Sequence, residues 1–143
     1  MNSAVFEIAE TRDLAACHAL RRAVFMDEQG IGEADEFDDL DGAAVHLLAL
    51  DGARPVGTAR LLVEGTTAKI GRVCVLKEAR GTGLGAALIR AGIERLRAMG
   101  GLETVKLGAQ CHALGFYTRL GFLPFGPVYD DAGIPHQDMA RAL

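Results

Sequence analysis

Apolar positions along the chain change period several times, and each change marks an element. Ala4–Ile8 is a short apolar run that predicts a first strand. Leu14, Cys17, Leu20, Val24 and Phe25 follow at helical spacing, with Thr11 or Asp13 as cap, and this helix should fade near Met26. Ala44–Leu50, Val56–Val63 and Ala68–Leu76 read as strands separated by the turn signals "DGARP" and "EGT". Short connections make these three an antiparallel meander. Leu84, Leu88, Ile89, Ile93, Leu96 and Met99 then form a helical stripe over Leu84–Met99, closed by Gly100 and Gly101. Thr104–Leu107 predicts a strand, and Cys111–Leu120 a short helix stopped by Gly121. Phe122–Phe125 and His136–Ala142 predict two last strands around the turn "GPVYDDAGIP".

The order is β-α-β-β-β-α-β-α-β-β. It predicts an α+β fold with a mixed, mostly antiparallel sheet and helices packed on it. With 143 residues, half of them hydrophobic, the chain is expected to be one domain spanning 1–143. A net charge of -4 argues against general nucleic-acid binding. Cys17, Cys74 and Cys111 are odd in number and lack CxxC spacing, so they read as reduced thiols. The four histidines lack ligand spacing such as HxxxH, and no metal site is expected. Neither a leader-like start nor a membrane-length apolar run is visible, which predicts a cytoplasmic protein without membrane contact.

The candidate chemistry begins at "ARGTGLGAALIR", Ala79–Arg90, where Gly81, Gly83 and Gly85 stand at alternate positions just before the long helix. Glycines are costly to order. A helix N-terminus offers free N–H groups and a partial positive charge, and glycines let an anion reach them. Arg80 adds a fixed charge and Thr82 a hydroxyl. A P-loop is a weak reading because no lysine follows Gly85. A dinucleotide fingerprint fits Gly81, Gly83 and Ala86 formally, but Lys77–Arg80 separate it from the strand and no acid stands where one is expected.

"RGTGLG" resembles the [QR]xxGx[GA] pyrophosphate loop of the GNAT N-acetyltransferase superfamily, and "ALGFYTRLGF", Ala113–Phe122, resembles that family's second signature. The element order agrees with the family over essentially the whole chain. "RRAVFMDEQ", "DDLDGAAVHLLAL", "VGTARLL", "KIGRVCVL", "LGAQCHALGFYTRLGF" and "GIPHQDM" are similar to the YjcF-like, ElaA-related branch.

The resemblance implies acetyl-CoA as co-substrate and transfer of its acetyl group to a primary amine, by direct attack through a tetrahedral intermediate. It implies that the pyrophosphate meets Arg80, Gly81, Thr82, Gly83, Leu84 and Gly85. The pantetheine arm would pair with the backbone of Val73, Cys74 and Val75 on the fourth strand, with Phe116 and Tyr117 beside it. A backbone N–H near Val75 would face the thioester carbonyl, and Tyr117 would protonate the leaving thiolate. Packing against Phe116 and Phe122 is the plainer reading of Tyr117. For the base that takes the amine proton, the candidates in order are Glu28, then His46 and His136. His112 also lies near the Tyr117 helix. Each histidine could instead be structural.

The run Asp27–Asp41 holds eight carboxylates and no basic residue. It reads as a solvated loop, or as an acceptor rim that attracts a cationic amine. Arg72 stands among apolar residues and needs a partner: a substrate carboxylate, or Asp38, Asp39 or Asp41. Glu28, Arg72, Gln110 and His136 are the expected substrate contacts. The acceptor would be a small-molecule or protein amine, and family members often form homodimers. A different class of function also fits: a non-catalytic acyl-CoA-binding sensor or interaction module.

Overall fold

The computed structural model describes residues 6–32 and 40–143. Seven strands form one sheet in the order β1-β2-β3-β4-β5-β7-β6. They are β1 Glu7–Thr11, β2 Val45–Asp51, β3 Arg54–Glu64, β4 Thr67–Val75, β5 Thr104–Gln110, β6 Leu123–Asp131 and β7 Ile134–Ala142. The α-helices are α1 Leu14–Arg21, α2 Leu84–Met99 and α3 Leu114–Arg119. The expected α+β order is the observed one. All neighbouring strands run antiparallel except β4 and β5, which α2 joins in a parallel βαβ unit.

The predicted stripe on α2 is the main core. Leu84, Leu88, Ile89, Ile93 and Leu96 are all buried on the sheet. Gly92 allows the close approach, since a Cβ there would stand 3.2 Å from Leu61 and 3.3 Å from Ile70. The opposite face is covered by α1, where Cys17, Leu20 and Val24 pack on Leu48 and Cys74. Asp13 caps α1 by accepting from the Ala16 N–H at 3.1 Å, while Thr11 accepts from the Asp13 N–H at 3.1 Å.

Three expectations need correction. The first strand is Glu7–Thr11, because Thr11 continues the pairing with β2 as far as His46; Ala4 and Val5 lie outside the described residues. The first helix does not fade at Met26 but passes into a π-helical segment, Arg22–Glu28. The long final turn is mostly strand. Gly126 and Pro127 form an irregularity between Phe125 and Tyr129, after which pairing resumes to Asp131. The reversal is two residues long, Ala132 (φ 54°) and Gly133 (φ 81°), the backbone of a tight hairpin turn.

Candidate active site

The parallel pairing of β4 with β5 is short, Thr67–Lys69 against Thr104–Lys106. Beyond it the strands part and leave a cavity of about 440 Å³. One wall is Ile70–Val75 of β4, and the other is formed by Leu107, Gly108 and Gln110 of β5. The register of β4 against β3 also shifts between Thr58 and Arg60, and Arg72 takes φ 49° there. A positive φ on a bulky residue is strained backbone, held by its surroundings. Arg72 lines the cavity. Of its expected partners, Asp38 and Asp39 lie outside the described residues, and Asp41 is bound by other cations, described below.

Arg80, which precedes the glycine turn, also lines this cavity. Gly81 (φ 76°) and Gly83 (φ 85°) adopt left-handed backbone that favours glycine, and open space surrounds both positions. Gly83 caps α2 with no side-chain bond, and no acidic residue stands in the first turn. The N–H groups of Leu84 and Gly85 therefore keep their donor capacity for a ligand. The Leu84 side chain is core, so only its backbone could meet a ligand. Thr82 spends its hydroxyl proton on the Ala79 carbonyl at 2.5 Å, which braces the loop. A Cβ at Gly85 would make ordinary contact with Phe116 at 3.5 Å, which shows how closely α3 abuts the start of α2.

All three nitrogens of Arg80 are engaged. Its Nε donates to the Val75 carbonyl at 3.1 Å, and its two terminal nitrogens donate to Glu28 at 2.5 and 2.6 Å. The hydrogen bond from Arg80 holds the Glu28 carboxyl below the usual range. Glu28, first in line as base, is thus bound to Arg80 and is not among the residues that line the cavity.

The side chains of β4 divide as alternation requires. Val73 and Val75 pack toward α2, while Cys74 is buried against α1. All three residues line the cavity. Across from them stands Tyr117 on α3, edge-to-face with Phe116 at 5.0 Å and Phe122 at 6.1 Å. Burial pushes its phenol up to about 12. It is protonated at neutral pH, but it is a weaker acid than an ordinary tyrosine.

His46 does not join this site. It shares the α1-covered face of β2 with Leu48 and is 3% exposed. Its Nδ1 accepts from Arg21 at 3.2 Å and its Nε2 donates to the Asp41 carbonyl at 2.9 Å. With both nitrogens occupied and no access to the cavity, it is structural. The same node joins Asp41 to Arg21 at 2.8 Å, Arg60 at 3.0 Å and His18 at 2.8 Å. Burial works against the Asp41 charge, but hydrogen bonds from His18, Arg60 and Arg21 prevail and hold its carboxyl well below the usual range. The described end of the acidic run is therefore an internal anchor.

The far wall comes from the β6–β7 hairpin. His136 lines the cavity, its Nδ1 donating to the Ile134 carbonyl at 2.8 Å. Tyr129, hidden in the expected turn, stacks on His136 with ring centres 5.9 Å apart and donates to Asp138 at 2.7 Å. Gln110 gives its amide N–H to Gln29 at 3.1 Å and accepts from His112 at 2.7 Å. Sequence reasoning missed Tyr129 and Gln29. Their signals were a tyrosine inside a supposed turn and an amide beside Glu28.

The chain belongs to the GNAT acetyltransferase family: the family model, an acetyltransferase (GNAT) domain, matches residues 23–143. Bacillus subtilis YjcF, named as an uncharacterized N-acetyltransferase, is 35% identical over 123 residues, spanning 85% of this chain and 87% of YjcF. Escherichia coli ElaA is 38% identical over 134 residues, spanning 91% of this chain and 88% of ElaA. The ElaA crystal structure covers 96% of this chain and 99% of its own, with TM-score 0.85 and 34% identity. An acyl-CoA N-acyltransferase from Pseudomonas aeruginosa covers the same shares with TM-score 0.84 and 31% identity.

Proposed function

We propose that this chain is an N-acetyltransferase that moves an acetyl group from acetyl-CoA to a primary amine. The observation that carries the reading is one cavity, between the parted strands β4 and β5, that Tyr117 and Arg80 both line, with Arg80 three residues before an uncapped helix N-terminus. Leu84 and Gly85 N–H groups and Arg80 suit the pyrophosphate, and the open β4 backbone at Val73–Val75 suits the two pantetheine amides. The bound thioester supplies the activated acyl carbon.

The chain's own residues then have three tasks. A backbone N–H near Val75 stabilises charge on the carbonyl oxygen as nitrogen attacks. Tyr117 gives its hydroxyl proton to the sulfur as the carbon–sulfur bond breaks. Against a thiol near 8.5 the phenol at about 12 is uphill by roughly 5 kcal/mol. That gap requires transfer to accompany bond cleavage. A cavity group takes the amine proton.

The test is amine-dependent CoA release, followed with a thiol reagent, using spermidine, glucosamine, lysine and a short peptide as acceptors. The expected result is turnover with at least one of them, lowered about 10²-fold or more in Tyr117→Phe with acetyl-CoA affinity unchanged. Saturable acetyl-CoA binding without release for any amine would instead support the non-catalytic sensor module.

A further inference from the structure

We infer that His136 accepts the proton of the acceptor amine, and that Tyr129, held by Asp138, is the positioning residue that sets the His136 ring. The inference rests on the acyl-transfer reading above and assigns that reaction's base.

Three bonds fix the arrangement. The Ile134 carbonyl can only accept, so the hydrogen bond at 2.8 Å requires a proton on Nδ1 of His136. In the neutral ring the Nε2 lone pair is then free, and no described residue engages it. Tyr129 lies against the ring at an interplanar angle of 23°. The hydrogen bond of Tyr129 to Asp138 fixes that second ring in turn. Gly108 makes room for this bond: a Cβ there would stand 2.7 Å from the Tyr129 hydroxyl oxygen. Burial first, then Asp138, pushes the Tyr129 phenol up to about 12, so it remains a donor throughout the working range.

The competitors are placed differently. Glu28 is clamped by Arg80, and both nitrogens of His46 are taken. His112 rests on the Gln110 side chain in an exposed turn, whereas His136 is set by a strand carbonyl and stacks on Tyr129, itself 38% exposed. A site built on strands and supported from behind holds geometry better than one on a turn.

Several charged groups share the cavity or its edge with His136. Asp131 and Tyr129 come from β6, Asp138 from its own strand, Cys111 and His112 from the turn after β5, and Arg72 from β4. In the step itself, the ammonium passes one proton to Nε2. The freed nitrogen pair then forms the carbon–nitrogen bond, the carbon–sulfur bond breaks, and the Tyr117 proton goes to sulfur. The remaining surplus nitrogen proton restores the phenol through solvent, and imidazolium releases its proton to solvent.

The experiment measures kcat/KM against pH for wild type, His136→Gln, Tyr129→Phe and Gly108→Ala, with the amine found active above. Side-chain nitrogen resonances of His136 are recorded alongside. His136→Gln should lose about 10²-fold or more, keep acetyl-CoA affinity, and regain rate as rising pH deprotonates the amine directly. Tyr129→Phe, which keeps the ring, and Gly108→Ala should move the acidic limb of the profile and the His136 titration together. The Nδ1–H form should dominate the neutral ring. An Nε2–H form, or turnover in His136→Gln with the wild-type pH profile, would overturn this inference alone. Failure of every amine to release CoA would overturn the transfer reading and this assignment with it.

Discussion

The two walls of the cavity are built on different principles. On the β4 side, with the glycine turn beyond it, the backbone is what is offered: positive-φ glycines, an uncapped helix start and an open strand edge. On the β6–β7 side the side chains are, and Gly108, Tyr129, His136 and Asp138 meet only because β5, β7 and β6 lie side by side. A backbone site needs a local run of residues and leaves a spacing in the sequence. A side-chain site assembled across strands leaves none. This is why a donor shared by a family is easily read while an acceptor is not.

The largest expected effect separates loss of either wall from loss of the fold. Asp41→Ala leaves Arg21, 0% exposed, and Arg60, 6% exposed, without that carboxylate. Breaking one member of a buried charge set costs about 3–5 kcal/mol, to be measured by urea unfolding. The pH dependence has a definite sign. The folded Asp41 pKa is depressed, so its contribution is present above the unfolded value near 4 and is lost as pH falls below it. A stability of Asp41→Ala equal to wild type at pH 7 would show that the node is not an anchor.

Next comes the backbone wall itself. Gly83→Asp places a Cβ at φ 85° and a carboxylate at the start of α2. Strain and repulsion together should weaken acetyl-CoA binding by about 2–3 kcal/mol, near 10²-fold. Calorimetric titration should show this loss, while the pH profile of any residual turnover keeps its acidic limb. A variant that binds acetyl-CoA as wild type does would mean the glycine turn is not the anion site, and the contrast between the walls would collapse.

Legibility follows the same division. The α2 stripe, the β2–β3–β4 meander and the glycine loop were all readable, because each is a local period or a local run. The end of β6 was not, since Gly126 and Pro127 carry turn chemistry yet form an irregularity inside a strand. Alternation placed His46 with Leu48 correctly, but it does not say which face meets the cavity, and that face lies under α1. Glu28 was placed near the site by resemblance. Its clamp on Arg80 spans 52 residues of sequence and has no local signature.

That clamp supplies the smallest and most discriminating prediction. Arg80 gives two donors to Glu28 and one to the Val75 carbonyl, a backbone group the pantetheine arm would use under the proposed function. If Arg80 holds the pyrophosphate as proposed, Glu28 competes with it for the guanidinium. Glu28→Gln removes the competing charge. Exposed ion pairs are weak, so acetyl-CoA affinity should rise only about three- to five-fold. The gain should shrink with added salt, and pantetheine, which lacks the pyrophosphate, should bind both forms alike. If Glu28 were the base, the same substitution would leave affinity unchanged and cost turnover about 10²-fold or more. One titration and one rate therefore assign Glu28 to the backbone wall or to the chemistry. An affinity that falls would reject the displacement argument, because Glu28 would then be helping Arg80 to bind rather than occupying it.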